Sequence, residues 1–261
     1  MKLLHKLLPG SLTTIISLLC FCASAQSADI KVLASVALTA ALDDLAPVYE
    51  KKTENKATLG YGLSVELKKR VSDGEAADLI ILTRPMMEDL EHQGKVAAGS
   101  LVDLVGTPVA VVARAGAPKP DISSVDALKR TLLAARSIVY ADPAKGGLSG
   151  VYFAKVIDRL GIADQLKNKT ILVPGAQAPE VVAKGEAELG VAQGSEIVPV
   201  AGTQLVGPLP GELASTTVFT GGIGAASKSP EATKTLIQFL TGSEAISRLK
   251  TKGFEPSPPR G

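Results

Sequence analysis

From residue 30 onward, short uninterrupted apolar runs alternate with segments whose apolar residues return every three or four positions, and this alternation limits the fold more than any other feature of the chain. Residues 30–36, 56–61 and 78–83 read as strands. Between the first two, Leu38, Leu42, Leu45 and Tyr49 share one helical face, with a kink or early stop expected at Pro47. A second helix starts at Val65 and ends before Gly74, and a third, 85–93, is closed by Gly94. Strands that are apolar on both faces and alternate with helices call for a parallel sheet covered on both sides.

The pattern then restarts. Residues 108–113, 137–141, 171–173 and 189–192 read as strands, with helices at 125–135, 150–160 and 179–184 among them. Residues 202–211, rich in Gly and Pro, read as a loop, 216–220 as a returning strand, and 230–249 as a helical pair broken near Gly242. The fold class is α/β in two units, each a mainly parallel sheet flanked by helices. The late strand takes the chain back to its first unit, which places residues 29–107 plus 218–256 in lobe 1 and 108–217 in lobe 2.

Residues 1–25 stand apart from that pattern. Lys2, His5 and Lys6 make a basic head, 12–22 is mostly apolar, and Ala23-Ser24-Ala25 is a small-residue cleavage signal. A membrane span needs about 20 apolar residues, and this run holds only about 11. A cleaved signal peptide is expected, with export to the periplasm and no membrane insertion afterwards. Lys2 and Lys6 are the leader's only Lys or Arg and it holds no acid, so the formal net charge of +2 belongs to it and the exported body is neutral. A neutral body with 3% aromatic residues and no Trp is not a nucleic-acid surface. Both cysteines, Cys20 and Cys22, leave with the leader, which removes thiolate nucleophiles, disulfides and thiolate metal sites. His92 is then the one imidazole, in a polar helical segment, so no metal or cofactor is expected and a Ser-His-Asp hydrolase is disfavoured.

In open parallel sheets, ligands sit beyond the carboxyl ends of the strands, where helix N-termini point at them. Four such turns carry small hydroxyl or glycine residues: Ser35-Val36-Ala37, Tyr61-Gly62-Leu63-Ser64, Thr83-Arg84-Pro85 and Gly146-Gly147-Leu148-Ser149-Gly150. Each alone is a good helix start. Together they expose backbone N–H groups and hydroxyls on one edge, an anion site built without formal charge. Arg84, directly after an apolar strand, is positioned to grip a carboxylate with two parallel bonds. Gly221-Gly222-Ile223-Gly224 lacks the spacing of a phosphate loop and reads as room for the backbone to cross between lobes.

The chain from about Asp29 to Pro256 resembles the periplasmic solute-binding proteins of molybdate-type ABC transporters. The likeness is carried by Lys31-Val32-Leu33-Ala34, Leu38-Thr39 and Ala41-Leu42, then by Gly74-Glu75-Ala76-Ala77-Asp78-Leu79 and Asp142-Pro143. It continues in Ser149-Gly150-Val151-Tyr152, Leu189-Gly190-Val191, Gly194-Ser195-Glu196 and Phe239-Leu240, and ends in Ala245 and Gly253-Phe254. The resemblance implies a type II periplasmic binding protein: two lobes, an anion in the cleft between them, and delivery to an ABC permease by a monomer. Carried over position by position, the family's first-helix serine falls on Ala37, with Ser35 nearby, and its second serine on Ser64. Its second-lobe backbone donors fall on Ser149, beside Gly150, and near Gly175, and its tyrosine falls on Gln193. Two hydroxyls are thus replaced, while Arg84 and Gln193 add polar groups, which favours a di- or tricarboxylate over molybdate. Bacterial aconitate isomerases resemble the chain at the same level and imply an alternative, an allylic proton shift between trans- and cis-aconitate. For that chemistry Tyr61, Lys145 and Asp142 are the proton-transfer candidates.

Overall fold

The computed structural model describes residues 27–257; the expected leader lies outside them. Strand β1 (Asp29–Ser35) runs through a tight turn, Val36–Leu38, into helix α1 (Thr39–Thr53), followed by β2 (Lys56–Gly62), α2 (Ser64–Ser72), β3 (Leu79–Thr83) and α3 (Arg84–His92). The long strand β4 (Val102–Arg114) leads to α4 (Val125–Ala134), β5 (Ile138–Ala141), α5 (Leu148–Arg159), α6 (Ala163–Leu166), β6 (Thr170–Val173), α7 (Ala178–Ala183), β7 (Leu189–Gln193) and α8 (Gly194–Ile197). The chain closes with β8 (Thr203–Pro208), β9 (Thr216–Ile223), α9 (Pro230–Leu240), α10 (Ser243–Thr251) and β10 (Glu255–Pro256).

These strands form two lobes joined through β4. In the first, β1 lies between β2 and β3, parallel to both; β9 then pairs antiparallel with β3 and with residues 102–108 of β4, and β10 joins the same stretch of β4. In the second, β5 lies parallel to β6 and β7, while residues 109–114 of β4 pair antiparallel with β7 and β8. β4 is longer than its apolar run 108–113 predicts, because Asp103, Gly106 and Thr107 interrupt the apolar pattern of its first half. β8 replaces the expected loop at 202–211: an edge strand needs only one partner, so its Gly and Pro are tolerated there.

The apolar strands are buried on both faces, and successive residues serve different cores. Ile30, Val32, Leu79 and Ile81 pack with Leu42, Leu45 and Tyr49 of α1 and with α9 and α10, whereas Leu33, Ile80 and Leu82 pack with Leu67 of α2 and Met87 of α3. In the second lobe Val109, Val111 and Tyr140 meet α4 and α5, and Ala110, Val112 and Val139 meet α7. Pro47 sits inside α1 without ending it. Asp78, 8% exposed, ties the first lobe together by accepting from the Lys31, Lys228 and Ser229 N–H groups and the Ser227 hydroxyl. Burial alone would raise its pKa, but those hydrogen bonds outweigh it and lower the value.

Gly221 and Gly222 are deep in β9 rather than at the crossing. A Cβ on Gly222 would stand 2.7–2.9 Å from Val96, Met87 and Leu101, so its lack of a side chain lets α3 and its flanking segment close on the sheet. The chain passes between the lobes in β4 around Thr107–Val109, and again where β9 begins opposite Pro108. Among the described residues, no helix is long and apolar enough to cross a membrane.

Candidate functional site

The carboxyl ends of β1, β2, β5, β6 and β7 converge on one narrow hollow between the lobes. From the first lobe come Ser35, Val36, Ala37, Leu63 and Ser64; from the second, Gly146, Gly147, Leu148, Ser149, Gly175, Gln193 and Glu196. The two sides nearly touch. A Cβ on Gly146 would meet Val65 of α2 at 3.5 Å, and one on Gly175 would meet Leu63 at 3.9 Å.

Helices α2 and α5 both start at this hollow, and neither N-terminus is capped by a side chain. In α2 the first internal bond is donated by Leu67 N–H, and in α5 by Val151 N–H. The earlier N–H groups of each first turn are therefore free of helical acceptors and carry the positive end of the helix dipole. Ser35, Ser64 and Ser149 are 2–3% exposed, and Gln193 is 1% exposed. Ser64 Oγ is buried without any hydrogen-bond partner, while the Gln193 side chain folds back on the Glu196 N–H in a reciprocal cap at the start of α8. A protein interior rarely leaves a group like the Ser64 hydroxyl unpaired, and it costs about 1–3 kcal/mol until something pairs with it.

Of the residues expected to bind, the hollow brings together Ser35, Ala37, Ser64, Ser149, Gly175 and Gln193. Arg84 does not join them. Its Nε and Nη2 donate to the two oxygens of Asp103 at 3.0 and 2.6 Å, and Asp103 also accepts from the Thr220 hydroxyl at 2.6 Å. Strand β4 sets Asp103 opposite Thr220 of β9, within reach of the start of α3, so the guanidinium is committed to a fold contact. Gly150 also serves packing, since a Cβ there would lie 1.7 Å from the Ala141 carbonyl oxygen, where α5 presses on the end of β5.

The three expected proton-transfer residues lie outside the lining. Tyr61 donates its hydroxyl to Asp43 Oδ1 at 2.7 Å, and burial, then that bond and the Asp43 charge, raise its pKa far above the usual phenol value. Asp142 accepts from Ala144 N–H in its own turn at 2.9 Å, and Lys145 is exposed on the same turn. His92 is exposed at the end of α3. The titratable residue that does line the hollow is Glu196. Burial pushes its carboxyl up to about 7, with the Gln193 N–H pulling the value down and the charge of Glu180 adding to the rise. Its Oε2 accepts from Gln193 N–H at 3.1 Å. The signal that finds it is an acid three residues after the last residue of a strand, the spacing that folds a side chain back over a helix start.

The model of the bacterial extracellular solute-binding protein family matches residues 30–255. The chain belongs to that family. Among its relatives, the aconitate isomerase of a Pseudomonas species is 34% identical over 233 residues, covering 87% of each chain. The molybdate-binding protein ModA of Azotobacter vinelandii is 30% identical over 242 residues, covering 88% of this chain and 91% of that one. The solved structure of an Azotobacter vinelandii periplasmic molybdate-binding protein superposes with a TM-score of 0.73 at 20% identity, over 88% of this chain and all of the other, which establishes the two-lobed fold. The solute-binding family is thus the context in which the helix starts and the unpartnered Ser64 hydroxyl of the hollow are to be understood.

Proposed function

We propose that this protein captures a small anion in the periplasm, closes its two lobes over it, and presents it to an ABC-type permease as a monomer. The observation that carries this reading is the buried, unpartnered Ser64 Oγ in a hollow onto which the uncapped N-termini of α2 and α5 open. Ser64 and the first-turn N–H groups of both helices supply donors from opposite lobes, so an anion between them holds the cleft shut. With residues 29–107 and 218–256 on one side and 108–217 on the other, the crossing strands β4 and β9 are the natural hinge. The donors offered are hydroxyls, an amide and backbone N–H groups, with no Lys or Arg in the lining among the described residues. Oxyanions and compact carboxylates both suit that set. The case for a tricarboxylate that rested on Arg84 lapses with its pairing to Asp103.

A thermal-shift panel of molybdate, tungstate, sulfate, citrate and both aconitates tests the proposal. One or more should raise the melting temperature saturably in the purified protein and far less in Ser64→Ala. A panel in which nothing shifts the melt removes the reading.

A second reading, aconitate isomerisation, is favoured by the 34% identical relative together with the Glu196 carboxyl in the hollow. An allylic proton shift needs a group that takes and returns a proton near neutral pH, and donors that hold the charge delocalised onto the carboxylates. Glu196 is the lining residue able to do the first. Incubation with trans-aconitate, followed by proton NMR, separates the two: growth of cis-aconitate signals favours the enzyme, saturable binding without conversion the receptor.

A further inference from the structure

One wall of the hollow is acidic. Glu196 shares the lining with hydroxyls, an amide and helix N-termini, and among the described residues neither Lys nor Arg lines the space, so an anion entering it meets a carboxyl group with no cation of the lining between them. Like charges that close do not both stay ionised; a proton comes to rest between them. Glu196 Oε2 is occupied by the Gln193 N–H, which leaves Oε1 for that proton. We propose that the hollow takes up its anion together with one proton, shared between Glu196 and the ligand, and that this selects anions of weak acids, carboxylates above all, over the anion of a strong acid such as sulfate. The inference rests on the anion-binding reading above and deepens it.

Among the described residues, the surroundings of Glu196 offer no competing neutralisation. Helix α8 packs against β4, β7, β8 and the Val36–Leu38 turn, and meets the tail through the backbone of Gly253. β7, β8 and that turn contain no ionisable side chain. On β4, Asp103 is paired with Arg84, and Arg114 lies at the end of the strand away from Val109, the residue opposite Gln193. The charge that does reach Glu196 is Glu180 on α7, which is negative and disfavours ionisation further. Burial has already brought the carboxyl to about 7, and a bound anion raises it again. Below that value the acid is already protonated and affinity is level. Above it, each pH unit weakens binding about tenfold until the higher, ligand-bound value is passed.

The test uses molybdate, sulfate and trans-aconitate, whose own charges are constant between pH 7 and 8.5, and titrates the purified protein calorimetrically across that range. The expected dissociation constant of trans-aconitate or molybdate rises about tenfold from pH 7.5 to 8.5, with sulfate the weakest of the three. In Glu196→Gln, which keeps an acceptor for the Gln193 N–H, the affinity is level over the same range. A wild-type affinity independent of pH, a slope that persists in Glu196→Gln, or tightest binding of sulfate overturns the proposal. Titration of the wild type at pH 8 in two buffers of different ionisation heat reads the same event without any variant: about one proton taken up supports it, none overturns it. Binding that is lost in Ser64→Ala yet flat with pH defeats this inference alone. If none of the three anions binds, the anion-binding reading falls with it.

Discussion

Replacing Ser64 by alanine removes a hydroxyl that bonds to nothing inside the protein, so the ligand-free fold has no bond to lose and sheds a buried, unpaired oxygen. The Ser64→Ala variant should therefore melt at or slightly above the wild-type temperature, yet bind its anion about ten- to a hundredfold more weakly, since a hydrogen bond to a charged group is worth about 1.5–3 kcal/mol. Equal affinity in the two proteins, measured by calorimetry, would contradict the role given to Ser64. Glu196 makes the complementary case for stability. Its folded-state carboxyl titrates near 7 against an ordinary 4.5, so the stability that comes from keeping it neutral is fully present below 4.5 and is lost as pH rises through 7. Glu196→Gln stays neutral throughout. It should melt above wild type at pH 8, by roughly 2–4 °C for each kcal/mol regained, and that gap should narrow as pH falls through 7 and close below about 4.5. Ser35, Ser64 and Ser149 are legible from sequence because each lies in a turn that leads from a strand into a helix start, whereas Gln193 is reached only through the family resemblance. The acid beside them is not, because a carboxylate in that position also serves as an ordinary helix cap, and only its place in the hollow distinguishes the two.

At the scale of elements, sequence periodicity locates most strands and helices because both faces of each parallel strand are buried, and the apolar run is then continuous. It fails where an element is satisfied from one side. β8 lies at an edge, and the first half of β4 mixes Asp103, Gly106 and Thr107 into its run, so neither carries a full apolar signature. The same blind spot explains Arg84. Its helix start belongs to the predicted edge, but its partner, Asp103, lies on a strand segment that sequence pattern does not reveal. The Arg84–Asp103 pair joins α3 to β4 with Asp103 only 8% exposed. Arg84→Ala removes the guanidinium that donates two bonds to that buried carboxylate, a loss expected to cost about 1–3 kcal/mol and to lower the melting temperature by several degrees. Anion affinity should be unchanged, as Arg84 does not line the hollow. A fall in affinity matching that of Ser64→Ala would return Arg84 to the site.

The whole molecule depends on few covalent crossings between its lobes, and Thr107 is buried at one of them with no exposed surface. Its Oγ1 accepts from Ser195 N–H on α8 at 3.1 Å and donates to the Gly253 carbonyl of the tail at 3.3 Å, so one hydroxyl links the crossing strand, a helix that borders the hollow and the C-terminal segment. Gly194 and Gly253 approach so closely there that a Cβ on Gly253 would stand 2.4 Å from the Gly194 carbonyl oxygen. Thr107→Val keeps the volume and removes both bonds, leaving a buried N–H and a buried carbonyl unpaired at a cost of about 1–3 kcal/mol each in the worst case. Because Ser195 is adjacent to Glu196, the loosened α8 should also misplace the acidic wall. The variant is therefore expected to lose several degrees of melting temperature and, unlike Arg84→Ala, to bind the anion more weakly as well. Calorimetry and thermal melts on the two variants side by side decide it: a Thr107→Val protein that is less stable but binds as tightly as wild type would mean that the crossing supports the fold without positioning the site.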